Sequence, residues 1–155
     1  MNFNVIAWAR TPKPDAPIDV FHGPGGFDDF LAAAEIAVNM LPLTTDTEGI
    51  LNAAAFAKMP EGAAVINLGR GAHVIDADLI AALDTGHLAA ATLDVTSPEP
   101  LPPESPLWDH AQVTIMPHVA RRPNISDSLP LIVENMRRVN DGAPLQQLVD
   151  RDTGY

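Results

Sequence analysis

Short apolar runs alternate along the chain with segments whose hydrophobic residues recur every three or four positions. Runs rich in Val, Ile, Leu and Ala, bounded by Gly, Pro or polar residues, are typical of buried strands. Runs of this kind predict strands at 4–8, 18–21, 35–41, 63–68, 91–95 and 113–116.

The segments after the second and third predicted strands carry helix signals. A turn at 23–26 precedes a predicted helix at 27–34, in which Asp28 and Asp29 would lie near the positive end of the helix dipole. Thr47 or a neighbouring threonine can cap a second helix, which is predicted to continue through 58 before a Pro and a Gly end it.

Two more helices are predicted later in the chain. Asp76 is predicted to cap the third helix, and Gly86 to end it in left-handed geometry. The last helix is predicted to begin near Pro130 and to reach about Asn140, because proline is accepted in a first helical turn but disrupts a helix interior. Strands and helices in alternation predict an α/β fold with a mostly parallel sheet and helices on both faces.

Composition and charge narrow the classes of partner. The chain has 155 residues, 46% of them hydrophobic, which suits a globular core, and a formal net charge of −11, which argues against nucleic acid as a partner. The most apolar stretch, 30–43, is interrupted by polar residues and is too short to cross a bilayer, and the N-terminus does not read as a secretory signal. The absence of cysteine fits a reducing cytoplasm.

Three chemically distinct side chains follow predicted strands. Arg70, Glu99 and His118 come after the runs at 63–68, 91–95 and 113–116. The carboxyl ends of parallel strands are where open α/β sheets bind ligands. A cation, an acid and an imidazole on one rim predict a proton-transfer site. Considered alone, each of these three side chains could equally belong to a solvated loop with no catalytic role. The other histidines, including His73, show no metal-ligand spacing and are assigned to loops or the surface, so no metal is predicted.

Motifs in a fixed order carry a family resemblance. They are VIAWART at 5–11, NMLPLT at 39–44, INLGRGAHV at 66–74, TLDVTSPEPLPPESPLW at 92–108, MPHVA at 116–120 and VDRDTGY at 149–155. With these motifs the chain resembles the D-2-hydroxyacid dehydrogenase family, and within it the glyoxylate/hydroxypyruvate reductase A branch. The resemblance implies a partial Rossmann-like NAD(P)-binding domain at 1–124, followed by a C-terminal helix and tail at 125–155 that would return to a substrate domain.

The resemblance also implies an activity, namely the reduction of a small 2-keto acid such as glyoxylate or hydroxypyruvate to the D-2-hydroxy acid. Arg70 would hold the substrate carboxylate with its planar fork. His118 would give a proton to the keto oxygen, and Glu99 would hold the imidazole and favour its protonated form. A nicotinamide cofactor would supply the hydride.

Cofactor choice is predicted from the end of the first strand. NAD enzymes of this fold place an Asp or Glu there, whereas this chain has Arg10 and Thr11, which suit the 2′-phosphate of NADPH. NADH remains the alternative, with Arg10 a solvated charge.

Further cofactor and substrate contacts are implied by resemblance alone. Leu41 and Pro42 would lie on the adenine-ribose side, and Leu68 and Gly69 would approach the cofactor through their backbone. Asp94 would bond the nicotinamide end, although an Asp at a strand end can also cap a turn. Trp108 would shape the substrate mouth or simply pack.

The chain departs from the family pattern at its start. The family's substrate domain and Gly-x-Gly-x-x-Gly turn are not found, and the glycines at 23–26 follow the wrong strand to replace that turn. The chain is therefore expected to begin at the second strand of the nucleotide fold and to oxidise NADPH weakly on its own. The alternative is a catalytically silent remnant that acts as a dimerising or interaction module. A homodimer is expected in either case, and Pro130 is expected to shorten or kink the last helix.

Overall fold

The computed structural model describes residues 3–120, 124–149 and 151. The chain forms two compact units, Met1–Pro117 and His118–Tyr155. The first unit holds the sheets and the buried core. The second holds one long helix, and the tail motif at 149–155 lies mostly outside the described residues.

All strand pairs in the first unit are parallel. Strands β1 (Ile6–Ala9) and β2 (Asp19–His22) form one sheet, and strands β3 (Ile36–Asn39), β4 (Ala63–Asn67), β5 (Leu88–Leu93) and β6 (Val113–Ile115) form a second sheet in the order β3-β4-β5-β6. The predicted parallel α/β architecture is confirmed.

Within the described residues, four α-helices accompany these strands, and their observed bounds are α1 (Gly23–Ala33), α2 (Ala53–Phe56), α3 (Asp76–Asp84) and α4 (Ile125–Asn140). The core of the first unit is made mainly by side chains from β4, β5, α2 and α3. Its largest fully buried apolar side chains are Leu31, Phe56, Val65, Leu79, Leu83, Leu88, Leu93 and Leu107.

Helix α1 begins earlier than predicted. The glycines at 23–26 form its first turn rather than a preceding loop, because Pro24 suits a first helical turn. The prediction for Asp28 and Asp29 is wrong, since the first turn of α1 contains no acidic residue. Asp28 instead forms an ion pair with Lys58.

The caps of α2 and α3 also differ from the prediction. Asn52 caps α2 by accepting hydrogen bonds from Ala54 N and Ala55 N at 3.1 and 3.2 Å, and Thr47 lies in the preceding turn. Asp76 is the first residue of α3 rather than its cap. The prediction for Gly86 is confirmed, since it ends α3 with a φ of +75°.

Helix α4 begins at Ile125, so the predicted start near Pro130 is wrong. Asn124 caps it by accepting a hydrogen bond from Ser126 N at 3.2 Å. Pro130 lies inside the helix, which continues to Asn140. The cap residue decides the start because it satisfies a backbone donor that would otherwise be left unpaired.

Candidate functional site

The strands of the larger sheet end in register. Asn39 pairs with Asn67, Asn67 with Leu93, and Leu93 with Ile115. The ladder continues one step further, because Leu68 N, Asp94 N and Met116 N each donate to the carbonyl of the neighbouring strand at 2.8–3.0 Å. The residues that follow β3, β4, β5 and β6 therefore lie along one edge of the sheet, which we call the carboxyl rim.

A cleft opens at this rim beyond β5 and β6. It has a volume of about 470 Å³ and brings together three of the predicted site residues, Asp94, Glu99 and Trp108. Asp94 is buried, with 3% of its surface exposed. The indole of Trp108 is half-exposed and donates to the Pro102 carbonyl at 2.9 Å, so the ring both lines the cleft and is fixed by a loop contact. The remaining lining residues are Thr96, Pro100, Leu101, Ile115, Met116 and Pro117.

The turn that carries Arg70 lies against the loop that carries Glu99. Gly71 is buried, and a Cβ added to it would overlap the carbonyl group of Thr96 and approach the nitrogen of Ser97. Glycine is needed here because two backbone segments touch. Arg70 is exposed, and its guanidinium donates to the Gly69 carbonyl at 2.7 Å. The structure thus places the Arg70 turn beside the loop that continues to Glu99.

Sequence reasoning missed a buried polar cluster directly behind this turn. It consists of Asn39, Asn67 and His73, whose exposed fractions are 8%, 0% and 0%. The assignment of His73 to a loop or the surface is wrong. The available signal was the pair of asparagines that end two neighbouring apolar strands, because buried amides need polar partners.

Burial lowers the pKa of His73 below its ordinary value of 6.5, and the hydrogen bond from the ring to the Pro42 carbonyl offsets part of that effect. The neutral ring is therefore favoured in the folded protein. Burial also raises the pKa of Asp76, which lies at the start of α3.

We expect the free energy of unfolding to fall as the pH is lowered below about 6.5, the ordinary pKa of a histidine. The unfolded chain takes up a proton on His73 first, because the folded pKa lies below 6.5. The stabilisation is complete above pH 6.5 and is lost as the pH falls from 6.5 through the folded pKa. One proton limits the slope to about 1.4 kcal/mol per pH unit. Urea unfolding followed by circular dichroism measures it.

The matched control is His73→Asn, which has no titrating ring. Subtracting its unfolding curve from that of the original chain cancels other groups, including Asp76. A difference that stays constant with pH would contradict the buried neutral state of His73.

Two predicted site segments are not among the residues that line the cleft. Arg10 and Thr11 are exposed and directly follow β1, in the smaller sheet. His118 is the first residue of the second unit and directly follows Pro117, which lines the cleft. Its φ of +53° is uncommon for a residue with a side chain, and such conformations concentrate at functional sites. The meeting of His118 with Arg70 and Glu99 stays a prediction.

Two kinds of feature are absent from the described residues, a membrane-spanning helix and a cluster of metal-ligating side chains. None of the helices within 3–120 and 124–149 has both the length and the apolar character needed to cross a membrane. Over the same part of the chain, His, Asp and Glu side chains nowhere gather in a group of three or more that could hold a metal ion.

Comparison with known sequences gives a consistent set of relatives. The profile of the family described as D-isomer specific 2-hydroxyacid dehydrogenase, NAD binding domain, matches residues 1–120. Glyoxylate/hydroxypyruvate reductase A of Klebsiella pneumoniae strain 342 is 40% identical over 153 residues, which are 99% of this chain and 49% of that protein. The chain spans about half the length of the curated relatives it matches.

Solved structures show the same likeness. A D-isomer specific 2-hydroxyacid dehydrogenase from Xanthobacter autotrophicus Py2, in complex with NADPH and MES, is 48% identical, with a TM-score of 0.93 over 99% of this chain and 63% of that chain. An NADPH-dependent glyoxylate/hydroxypyruvate reductase from Sinorhizobium meliloti, in complex with NADP and sulfate, is 38% identical, with a TM-score of 0.89 over 99% of this chain and 50% of that chain. The likeness in fold extends over nearly the whole chain.

Proposed function

Because the chain belongs to the D-isomer specific 2-hydroxyacid dehydrogenase family, we propose that it serves the NADPH-dependent reduction of a small 2-keto acid, such as glyoxylate or hydroxypyruvate, to the D-2-hydroxy acid. One observation carries this proposal: Asp94, Glu99 and Trp108 line a single cleft at the carboxyl rim, and the Arg70 turn packs through Gly71 against the loop that leads to Glu99. The lack of cysteine favours a reducing compartment such as the cytoplasm.

The residues at the strand ends have the chemistry that a nicotinamide dinucleotide requires. Arg10 and Thr11 at the end of β1 offer a cation and a hydroxyl to a 2′-phosphate, which favours NADPH over NADH. Asp94 offers a buried carboxylate to the carboxamide or ribose of the nicotinamide. Leu41 and Pro42 after β3, and Leu68 and Gly69 after β4, would contact the cofactor mainly through apolar surface and backbone. When bound, the cofactor supplies a hydride.

Arg70 would bind the carboxylate of the keto acid. Arg70 is exposed, and its backbone carbonyl and N–H are hydrogen-bonded to Asn67 and His73, so the fork can present two parallel N–H groups to a carboxylate. Trp108 would shape the mouth of the cleft and exclude water from one side of the substrate. These two residues orient the keto group.

His118 would supply the proton for the keto oxygen, with Glu99 holding the imidazole. The sequence places His118 next to Pro117, a lining residue of the cleft that also contains Glu99. A carboxylate that accepts a hydrogen bond from one ring nitrogen leaves the other nitrogen to give its proton. The unusual φ of His118 supports a positional role for this residue.

Arg70→Ala is expected to weaken glyoxylate binding by roughly 10- to 100-fold, since a charge-assisted bidentate contact is lost. The protein is saturated with NADP⁺, so that no turnover occurs, and glyoxylate binding is measured by isothermal titration calorimetry. Arg70→Lys keeps the charge but not the fork and should be intermediate. The control is Arg137→Ala, because the side chain of Arg137 is exposed on α4, and this variant should leave glyoxylate binding unchanged.

Two outcomes of this experiment have different meanings. If the original chain binds neither NADPH nor glyoxylate at millimolar concentration, with no rise in its unfolding temperature, the proposed function fails. If it binds both and Arg70→Ala binds equally well, the role of Arg70 fails while the reductase function stands.

A second candidate function is a dimerising module, and helix α4 favours it. None of its residues is buried, and one stripe along it is apolar and exposed. The stripe consists of Ile125, Leu129, Ile132, Val133, Met136 and Val139. Because this spacing follows the helical repeat, the exposed side chains form a continuous surface about 21 Å long.

We propose a second copy of the chain as the occupant of this surface. In an antiparallel pair related by a two-fold axis, the apolar stripe of each helix faces the stripe of the other, and Leu129 lies opposite Met136. The apolar pattern is therefore self-complementary.

Sedimentation equilibrium tests this candidate. The original chain is expected to dimerise, and the double substitution Leu129→Glu and Met136→Glu to leave it monomeric, because both charges would be placed within the paired stripe. The control is Ala111→Glu, which adds an acid at an exposed position before β6. An original chain that is monomeric, or a double variant that still dimerises, would eliminate α4 as the dimer surface.

A further inference from the structure

The buried cluster of Asn39, Asn67 and His73 has a single consistent hydrogen-bond arrangement. The Oδ1 of Asn39 accepts from Leu41 N at 3.1 Å, so its Nδ2 is the end that faces Asn67 and His73. The Oδ1 of Asn67 accepts from Gly69 N at 3.2 Å and from the Nδ2 of Asn39 at 2.8 Å, and its Nδ2 donates to the Arg70 carbonyl at 2.9 Å. Backbone groups thus fix the orientation of both amides.

The same reasoning fixes the tautomer of His73. Its Nδ1 lies 2.9 Å from the Nδ2 of Asn39 and 3.1 Å from the backbone nitrogen of Arg70, and both of these groups can only donate. Nδ1 therefore carries no hydrogen. Its Nε2 lies 3.3 Å from the Pro42 carbonyl, which can only accept, so Nε2 carries the hydrogen. The ring is neutral, and each nitrogen has its required partner.

The cluster joins two loops that the proposed function uses for different ligands. Through Leu41 N and the Pro42 carbonyl it holds the segment after β3, on the proposed adenine-ribose side of the cofactor. Through both backbone groups of Arg70 it holds the segment after β4, which carries the proposed substrate cation. Gly69 lies tightly between them, because an added Cβ would come within 2.9 Å of Asn39 and His73.

We infer that His73 is a positioning residue for Arg70: with Asn39 and Asn67, it holds the backbone of the Arg70 turn so that the guanidinium faces the substrate carboxylate. This inference rests on the proposed function for the identity of the ligand, glyoxylate. The hold on the Arg70 backbone is a separate claim and can be measured without any ligand. Asn67 and Asn39 bond the backbone groups that His73 does not reach, namely the Arg70 carbonyl and the Leu41 N–H.

Two variants separate this role from simple packing. His73→Asn retains an acceptor near the position of Nδ1, whereas His73→Leu has a comparable size and no acceptor. His73→Leu leaves the backbone N–H of Arg70 without its partner, so we expect glyoxylate to bind roughly tenfold more weakly in the presence of NADP⁺, with the NADPH dissociation constant changed less. His73→Asn is expected to restore most of the glyoxylate affinity.

Nuclear magnetic resonance supplies the readout that needs no ligand. In the original chain, the ¹⁵N shifts of the His73 ring should show a protonated Nε2 and an unprotonated Nδ1, and the Arg70 amide should exchange slowly with solvent. His73→Leu should lose that protection and His73→Asn should keep it. The ring shifts of the original chain remain informative even if His73→Leu does not fold.

The outcomes distinguish the positioning role from the proposed function. Tight glyoxylate binding by His73→Leu, or a His73 ring protonated on Nδ1, would overturn the positioning role while leaving the reductase function in place. If the original chain binds no glyoxylate, the reductase function fails, and the positioning role is then judged from the exchange of the Arg70 amide with solvent. Slow exchange that is lost in His73→Leu supports the positioning role. Slow exchange that persists in His73→Leu refutes it.

Discussion

His118→Gln is expected to slow the oxidation of NADPH by glyoxylate by about 100-fold or more, because a positioned general acid contributes roughly 10²- to 10⁴-fold. Glutamine keeps a similar length and can donate a hydrogen bond, but it cannot transfer a proton. Because the chain spans half the length of its relatives, we expect slow turnover. The reaction is therefore followed with protein in excess over NADPH, as loss of the reduced-nicotinamide absorbance.

The matched control for that experiment is His22→Gln. His22 is an exposed histidine at the end of β2, outside the cleft residues. It should leave the rate of the original chain unchanged. A His118→Gln rate equal to that of the original chain would remove His118 from the reaction. An original chain that consumes no NADPH above the protein-free background would contradict the reductase activity itself.

Gly71→Ala is expected to destabilise the chain by about 3 kcal/mol or more, since the new methyl group would overlap the carbonyl group of Thr96. The atoms that the methyl group would overlap belong to the backbone, which cannot rotate away as a side chain could. The overlap is therefore removed only if the Arg70 turn moves away from the loop that leads to Glu99. Glyoxylate binding should be lost together with stability. Urea unfolding and calorimetry measure the two effects.

Gly25→Ala is the control for the glycine substitution. Gly25 lies in the first turns of α1, and an added Cβ there would meet nothing within 4 Å. Alanine should be neutral or should stabilise the helix by about 0.5–1 kcal/mol. If Gly71→Ala unfolds at the same urea concentration as the original chain, the close approach of the two loops is wrong.

The strands were the most predictable elements, because their signal is local. Apolar runs such as 63–68 are long enough for a buried strand and are bounded by glycine or polar residues. Helix ends were predicted less well, because several residue types can cap a helix and only one is used. Thr47 and Asn52 are both suitable caps for α2, and Asn52 has the observed hydrogen bonds.

The candidate site also contains residues that local sequence signals predicted and one that they did not. Arg70 and Glu99 were predicted from their positions after strands, and Asp94 and Trp108 from the family resemblance. In the structure, Asp94, Glu99 and Trp108 line one cleft. The burial of His73 was missed, because it depends on β3 pairing with β4 in the register that joins Asn39 to Asn67. A pairing between residues 28 positions apart in the chain leaves no periodic signal around His73.

The sequence by itself determined the order of strands and helices, the family, and the residue types available at the strand ends. These follow from local hydrophobic patterns and from motifs that can be read without contacts. Only the tertiary structure decided that the strands divide into two sheets, that Gly71 lies against Thr96, and that His73 is neutral beneath the Arg70 turn. The physical reason is that register, close backbone approach and hydrogen-bond satisfaction depend on segments far apart in the chain, which meet only on folding.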